Sequence, residues 1–374
     1  MRIGFDAKRA FFNQTGLGNY SRFIIQGCIA RYPNEEYTLF SPQTTKKGKS
    51  MSWPSSTQVD VVDLGNGFQG SLNRVFGMGR YMRRHSLDIY HGLSNELPVG
   101  LSTVSTKLVV SVHDLLFMRY PSFYPWVDRS IYKAKTKLSC KRADLVLAIS
   151  EQTKRDLVEL LHIPENKIRV HYQTCHPQFL QPVSEEQIHT TKLKYGISKS
   201  YVLQVGTLEN RKNALTTLKA FSQSSLSQDI DLVFLGNKTT YCEQLYSFVK
   251  EKKLGKTVHF IHRANFADFP ALYSGALFTV YPSLFEGFGI PVLESLMMGI
   301  PVITSKGGCF QEVGGAAAVY VGSTNTEELA IKMEELANNT SLRASLVEKG
   351  KKQVEKFKEA PLIQELHGIY TSLL

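Results

Sequence analysis

The sequence predicts an α/β protein built from two doubly wound parallel-sheet domains, and three observations carry that prediction. Short β-like runs alternate with helix-like runs from one end to the other, the pattern of parallel sheets covered by helices. The β-like runs are rich in Val and Ile without strict polar alternation, as strands buried on both faces are. At 374 residues the chain is too long for one ordinary core and suits two.

In the first half the strand candidates are residues 2–5, 37–40, 59–62, 88–91, 107–113, 145–149 and 168–171. In the second half they are 201–205, 230–235, 258–261, 277–281, 301–304 and 318–321. The polar stretch Gln181 to Ser200 lacks a strand pattern and separates the halves, giving domains at 1–185 and 186–358. Helical patterns then run over Thr326 to Asn338 and Ser341 to Phe357. In the remaining stretch, 359–374, Leu362, Leu366, Ile369 and Leu373 share one helical face and Pro361 suits a first turn. That helix must bury its apolar face against another element. Doubly wound sheets bind ligands beyond the carboxyl ends of their strands, so the loops after residues 5, 113, 205, 235, 261 and 281 are where a site is expected.

Composition narrows the class. With 43% hydrophobic and 21% charged residues the chain reads as soluble and globular. Its five cysteines are odd in number, far apart and without metal-ligand or redox spacing, which argues for a reducing cytoplasm. Asp6, Lys8 and Arg9 interrupt the N-terminus before an apolar signal core could form, and no apolar run approaches the roughly 18 residues of a membrane span. The net charge of +11 is uneven: residues 1–180 hold 24 Lys/Arg against 14 Asp/Glu, and the remainder 20 against 19. A basic first half suggests an anionic partner, such as a phosphorylated lipid, an acidic membrane surface or nucleic acid. Asn73 to His85 and Asp128 to Arg142 carry much of this charge among apolar residues, as interfacial helices do. A solvated helix face remains the alternative for either stretch. No nucleic-acid recognition module is visible, so no nucleic-acid partner is expected.

Four loops carry candidate chemistry. After the first strand, NQTGLGNYSR places Gly16 and Gly18 at the opening of a helix, where backbone N–H groups could approach a phosphate or sugar. It fails as a dinucleotide fingerprint, because Ser21 occupies the third glycine's place. Strand 107–113 ends in His113, which could donate to a substrate hydroxyl or leaving-group oxygen, or serve as a structural histidine. Strand 201–205 leads into VGTLENRKN, where adjacent Arg211 and Lys212 could neutralise a diphosphate. Strand 277–281 leads into PSLFEGFGIPVLES, which sets Glu286 and Glu294 around a Gly-Phe-Gly turn. Glu294 is expected in the first turn of the following helix, kept ionised by the helix dipole and able to accept two ribose hydroxyls. Glu286 is expected to face a reacting sugar, with the N–H groups of Phe288, Gly289 and Ile290 in the same space. Asp229 and Asp231 at a strand start, and His259 with His262, lack the surroundings of a metal site.

Taken together these motifs resemble glycosyltransferase family 4, the retaining family of the GT-B fold with an E-x7-E motif. The likeness covers nearly the whole chain, in the order GLGNYSR, VHDLLF, AISEQTKRDL, VGTLENRKN, ALYSGA and YPSLFEGFGIPVLESLMMGIPVITS. It implies two Rossmann-like domains facing a cleft, acceptor on the first and nucleotide-sugar donor on the second, and a last helix that crosses back to the first. It further implies Glu286 at the donor sugar, Glu294 at the ribose and Arg211 with Lys212 on the diphosphate. Gly16 and Gly18 would line the donor, His113 would contact its sugar, and Phe288 and Gly289 would offer backbone donors. No metal and no cofactor are implied, since the two cations can stabilise the leaving group. His262 stands where many relatives have glycine, and the segment around Glu312 lacks the usual leucine-proline. The expected enzyme transfers a hexose, mannose from GDP-mannose first and a UDP-sugar second, to a glycan or lipid-linked acceptor in surface-polysaccharide or lipopolysaccharide assembly. Its expected place is the cytoplasm, with a candidate peripheral site on the inner face of the cell membrane. A GT-B epimerase and a non-catalytic nucleotide-sugar-binding subunit are the competing readings.

Overall fold

The computed structural model describes residues 1–42, 57–65, 67–99 and 105–374. The chain divides into two compact units, one of residues 1–174 and 356–374 and one of residues 175–355. In the first unit β1 (Arg2–Asp6), β2 (Glu36–Ser41), β3 (Val59–Asp63), β4 (Ile89–Gly92), β5 (Lys107–Val112), β6 (Leu145–Ala148) and β7 (Ile168–Val170) form one sheet. Its order is β3-β2-β1-β4-β5-β6-β7. In the second, β8 (Tyr201–Val205), β9 (Asp231–Leu235), β10 (Val258–Ile261), β11 (Phe278–Tyr281), β12 (Val302–Ser305) and β13 (Ala318–Val321) form the order β10-β9-β8-β11-β12-β13. Every pairing is parallel, with registers such as Phe5 opposite Leu39 and His91 in the first sheet and Leu203 opposite Val233 and Thr279 in the second.

Each strand candidate of the sequence forms a strand; the central ones are buried on both faces, as parallel pairing under helices requires, while β3 and β7, at the two edges of the first sheet, are partly exposed. Leu39, Val109, Val110 and Val146 have no exposure in the first core, and Val202, Leu232, Phe234 and Phe278 none in the second. Strand order reverses between β1 and β4, and again between β8 and β11. Those switch points open the crevices in which such sheets take ligands.

The division between the units falls at Thr174 and Cys175, earlier than the boundary the sequence suggested near 185. The stretch 181–200 is not a spacer. It holds helix Glu185–Lys194, begun by a capping box in which Ser184 and Gln187 exchange hydrogen bonds, and Tyr195 and Lys194 of its end bind Asp268 of the second unit. Local polarity misled because a helix with one partly covered face carries few apolar residues.

The final helix, Glu359–Thr371, buries Leu362, Ile363, Leu366, Ile369 and Tyr370 within the first unit, mainly against helix Gly16–Arg31. A buried polar string fixes it there. Tyr370 Oη lies 2.6 Å from His91 Nδ1, His91 Nε2 lies 2.7 Å from Ser111 Oγ, and Ser111 Oγ lies 2.6 Å from Tyr20 Oη. His171 Nε2 donates to the Leu362 carbonyl at 2.8 Å.

Burial pushes His91 down to about 3 and His113 down to about 4, and lowers His171 as well. The unfolded chain therefore takes up these protons first on acidification. The stability they contribute is complete above the ordinary histidine range and is lost as the pH falls through it toward 4, at up to ~1.4 kcal/mol per pH unit for each histidine. Urea denaturation followed through the first unit should show that loss between pH 7 and 4. Tyr370→Phe, which leaves His91 Nδ1 without its partner, should cost about 1–2 kcal/mol at pH 7.

Candidate active site

The site is built at the switch point between β8 and β11. After β8 the chain turns through Gly206, at φ 133°, into a 3-10 turn over Asn210–Lys212. Asn213 follows in the left-handed region at φ 58°. Its Nδ2 donates to the Pro282 carbonyl at 3.0 Å and to the Ser323 carbonyl at 2.5 Å, and its Oδ1 accepts from Thr216 at 2.7 Å. Gln204 Nε2 donates to the Lys212 carbonyl at 2.8 Å. The Arg211–Lys212 turn is thus pinned to the β11 loop before any ligand arrives.

Glu286 closes the arrangement. Its Oε1 lies 2.6 Å from Lys212 Nζ and accepts from Ser283 Oγ at 2.7 Å and Tyr281 Oη at 2.9 Å, while its Oε2 lies 2.5 Å from Arg211 Nη1. Arg211 Nη2 also holds Glu209 at 2.7 Å. Burial by itself would push the Glu286 carboxyl up. The Lys212 ammonium and Arg211 guanidinium, with the Lys212 and Ser283 hydrogen bonds, override that and bring it down to about 2. Burial pulls the Lys212 ammonium down, against the attraction of Glu286. The knot contains two cations for one ionised carboxylate, and among the described residues only Glu209, at the rim, pairs with them as a second negative charge.

Glu294 differs. Gly289, left-handed at φ 95°, caps helix Ile290–Met297, which begins where the sequence suggested, and Glu294 is its fifth residue, just past the first turn in which it was expected. Its Oε2 accepts from Tyr273 Oη at 2.7 Å, and burial, opposed by that bond, pushes its carboxyl up to about 7. The expectation of a dipole-stabilised, permanently ionised group is therefore corrected: it sits past the first turn, where dipole stabilisation fades, and it is dry. Phe288 buries its ring, with 2% exposure.

The remaining sequence candidates, Gly16, Gly18 and His113, lie in the first unit. Gly18 is demanded by the fold, since a Cβ there would lie 1.9 Å from the Asn13 carbonyl oxygen, whereas a Cβ on Gly16 would meet nothing within 4 Å. His113 follows β5. Its Nε2 lies 2.9 Å from the Leu93 carbonyl, an acceptor only, so Nε2 carries the proton. With the ring kept neutral by burial, Nδ1 is an acceptor, not the donor that the sequence suggested.

Two family models match the chain. Residues 34–176 match the one described as Glycosyltransferase Family 4, and residues 187–353 the one described as Glycosyl transferases group 1. The chain belongs to glycosyltransferase family 4. It is 26% identical to the O-antigen chain mannosyltransferase B of Escherichia coli over 96% of each chain. It is 30% identical to the O-antigen chain mannosyltransferase RfbU of Salmonella typhimurium over 57% of this chain and 56% of that protein. Among solved structures, the sucrose-phosphate synthase of Thermosynechococcus elongatus superposes with a TM-score of 0.79 at 17% identity, covering 100% of this chain and 99% of that one. The two Rossmann-like sheets and the returning last helix of this glycosyltransferase are those of the GT-B fold.

Sequence reasoning missed several members of the site. Tyr281 and Ser283 complete the Glu286 shell, Tyr273 supports Glu294, and Asn213 holds the cationic turn. Arg22 buries a guanidinium that donates to the Ala10 and Asn13 carbonyls at 2.7 and 2.9 Å and to Asn19 Oδ1 at 2.6 Å, shaping the Gly16–Gly18 loop. The sequence held signals for two of them: an Asn directly after two cations at a helix start, and an Arg one helical turn beyond Gly18.

Because the folded-state value of Glu294 lies above its ordinary range, its contribution is destabilising and grows as the pH rises from about 4.5 to about 7. Glu294→Gln should leave stability unchanged at pH 4 and raise it at pH 8, by on the order of 3 kcal/mol. Paired thermal melts at the two pH values measure this.

Proposed function

We propose that this glycosyltransferase is a retaining, metal-independent hexosyltransferase that moves mannose from GDP-mannose to a glycan or lipid-linked acceptor in surface-polysaccharide assembly. The observation that carries the reading is the Glu286–Lys212–Arg211 knot at the β8–β11 switch point. Mannosyl transfer is favoured by the likeness to a named mannosyltransferase along 96% of both chains. A UDP-sugar donor is the second reading.

In the proposed reaction the donor diphosphate takes Lys212 and Arg211 as its cations. As the bond from sugar carbon to phosphate oxygen breaks, negative charge grows on the diphosphate, and these groups need no reorganisation to receive it. Positive charge grows on the sugar ring, where the Glu286 carboxylate faces it. A carboxyl with an ionisation near 2 and four hydrogen-bonding neighbours is a poor nucleophile, which favours electrostatic support over a covalent intermediate. Attack by the acceptor hydroxyl from the leaving-group side then retains the configuration, and the diphosphate takes the hydroxyl proton. Phe288, Gly289 and Ile290 would offer backbone N–H groups at the helix start, and Glu294 would accept the ribose hydroxyls. Gly16, which packing leaves open, Gly18 and the His113 Nδ1 acceptor would contact substrate from the first unit. The basic first unit would keep the enzyme at the anionic inner face of the membrane, close to a lipid-linked acceptor. Among the described residues no helix is long and apolar enough to cross a membrane.

Glu286→Gln should lower the rate of transfer at least ~10³-fold while GDP binding stays equal or tightens, since two cations lose their competing carboxylate. Retained turnover would remove Glu286 from the catalytic role. Thermal shifts with GDP and UDP identify the nucleotide, because the right one stabilises by mass action, and transfer should be unaffected by a chelator. An epimer appearing from donor alone would favour an epimerase, and binding without transfer to any acceptor would favour a non-catalytic subunit.

The Glu294 value adds a pH test. If ribose hydroxyls donate to its carboxylate, binding favours the ionised form, so GDP affinity should rise as the pH passes from 6 to 8. Calorimetric titrations of the wild type should show that rise, and Glu294→Gln should flatten it.

A further inference from the structure

Among the described residues thirteen large hydrophobic side chains are exposed, and eight of them lie on two helical segments of the first unit. One segment runs through Gly67–Leu72, a π turn at Asn73–Gly77 and Met78–Arg84; the other is helix Trp126–Arg142. On the first, Phe68, Leu72 and Phe76 recur every four residues, with Phe68 80% and Phe76 63% exposed. On the second, Trp126 is 74% exposed, and Val127 and Ile131, four apart, are exposed as well. A solvated helix face has no use for such residues, and their spacing makes each an apolar ridge.

The two segments share a seam. Glu96 lies 3.1 Å from Arg74 Nη2 of one and 3.6 Å from Lys135 Nζ of the other. Val99 N donates to the Val75 carbonyl at 2.6 Å, and Leu97 N donates to Ser139 Oγ at 2.9 Å. Residues 67–84 and 126–142 together hold ten Lys/Arg and a single acid, Asp128. Arg80, Arg83 and Arg84 follow Phe76 on the first segment, and Lys133 and Lys141 follow Ile131 on the second.

We propose that this paired-helix face of the first unit is the membrane-docking surface, with Phe68, Phe76 and Trp126 entering the interface of an anionic bilayer and the flanking cations binding its headgroups. Aromatic and aliphatic residues with a basic rim are the composition of interfacial helices. A second copy of the chain is disfavoured as the occupant, because it would bring the same dense positive charge onto itself. The inference deepens the membrane part of the proposed function but does not depend on the donor or the chemistry.

The test uses the full chain without donor. The sequence has two tryptophans, so Trp53→Phe makes Trp126 the single reporter. Vesicles of phosphatidylcholine with phosphatidylglycerol should blue-shift its emission and sediment the protein. Pure phosphatidylcholine should bind at least tenfold more weakly, and 0.5 M salt should release most of the bound protein. The combined Phe68→Ser, Phe76→Ser and Trp126→Ser variant, confirmed folded by its melting temperature, should lose vesicle partitioning at least tenfold, read by sedimentation. Absence of binding to the anionic vesicles, or binding unchanged in the variant, overturns the proposal. So does a concentration-dependent dimer in sedimentation velocity that shields Trp126 while vesicles do not bind, which would assign the face to a second copy. Absence of sugar transfer by wild-type protein that binds the anionic vesicles would instead count against the catalytic reading alone.

Discussion

The second unit is organised around one buried carboxylate held by two adjacent cations. Lys212 and Arg211 hold Glu286 in its ionised form against the effect of burial, and Glu286 in turn opposes the pull of burial on the Lys212 ammonium. Removing one partner of such a group leaves uncompensated charge in a dry place, which is why pairs of this kind are costly to break. The surrounding structure serves that constraint. Asn213 accepts a left-handed backbone to tie the cationic turn to the β11 loop, Gln204 holds the Lys212 carbonyl, and Ser283 and Tyr281 fill the remaining acceptor positions of the carboxylate.

The two glutamates of the motif show how one turn can separate two electrostatic roles. Glu286 lies before the turn, among cations, and is driven to its charged form. Glu294 is the fifth residue of the helix, and burial, opposed by the Tyr273 hydrogen bond and the Lys212 charge, holds its proton to near neutrality. On the proposed reading the first stands where positive charge develops on the sugar. On the same reading the second would accept hydroxyl donors brought by a ligand, which would couple ligand binding to its ionisation.

Much of this was legible in the sequence, and the reasons are particular. The strands were readable because Val- and Ile-rich runs such as 107–113 and 230–235 are buried on both faces and have little other use. The final helix was readable from Leu362, Leu366 and Ile369, which demanded cover. Arg211, Lys212, Glu286 and Glu294 stood out because they follow strands at the carboxyl edge of a parallel sheet. What sequence could not supply was environment. The state of Glu294 depends on its depth along the helix and on Tyr273, twenty-one positions earlier. The acceptor role of His113 depends on the Leu93 carbonyl. The unit boundary depends on contacts from Lys194 and Tyr195 to Asp268 that no local pattern announces.

The central claim is that the cationic turn after β8 is the seat of a nucleoside diphosphate. Calorimetric titration of GDP into the wild type and into Lys212→Met tests it most directly. The substitution removes one cation and leaves Glu286 with Arg211 and its Ser283 and Tyr281 hydrogen bonds. The account predicts at least a tenfold loss of affinity in a variant that still melts cooperatively; an unchanged GDP affinity in that folded variant would contradict it.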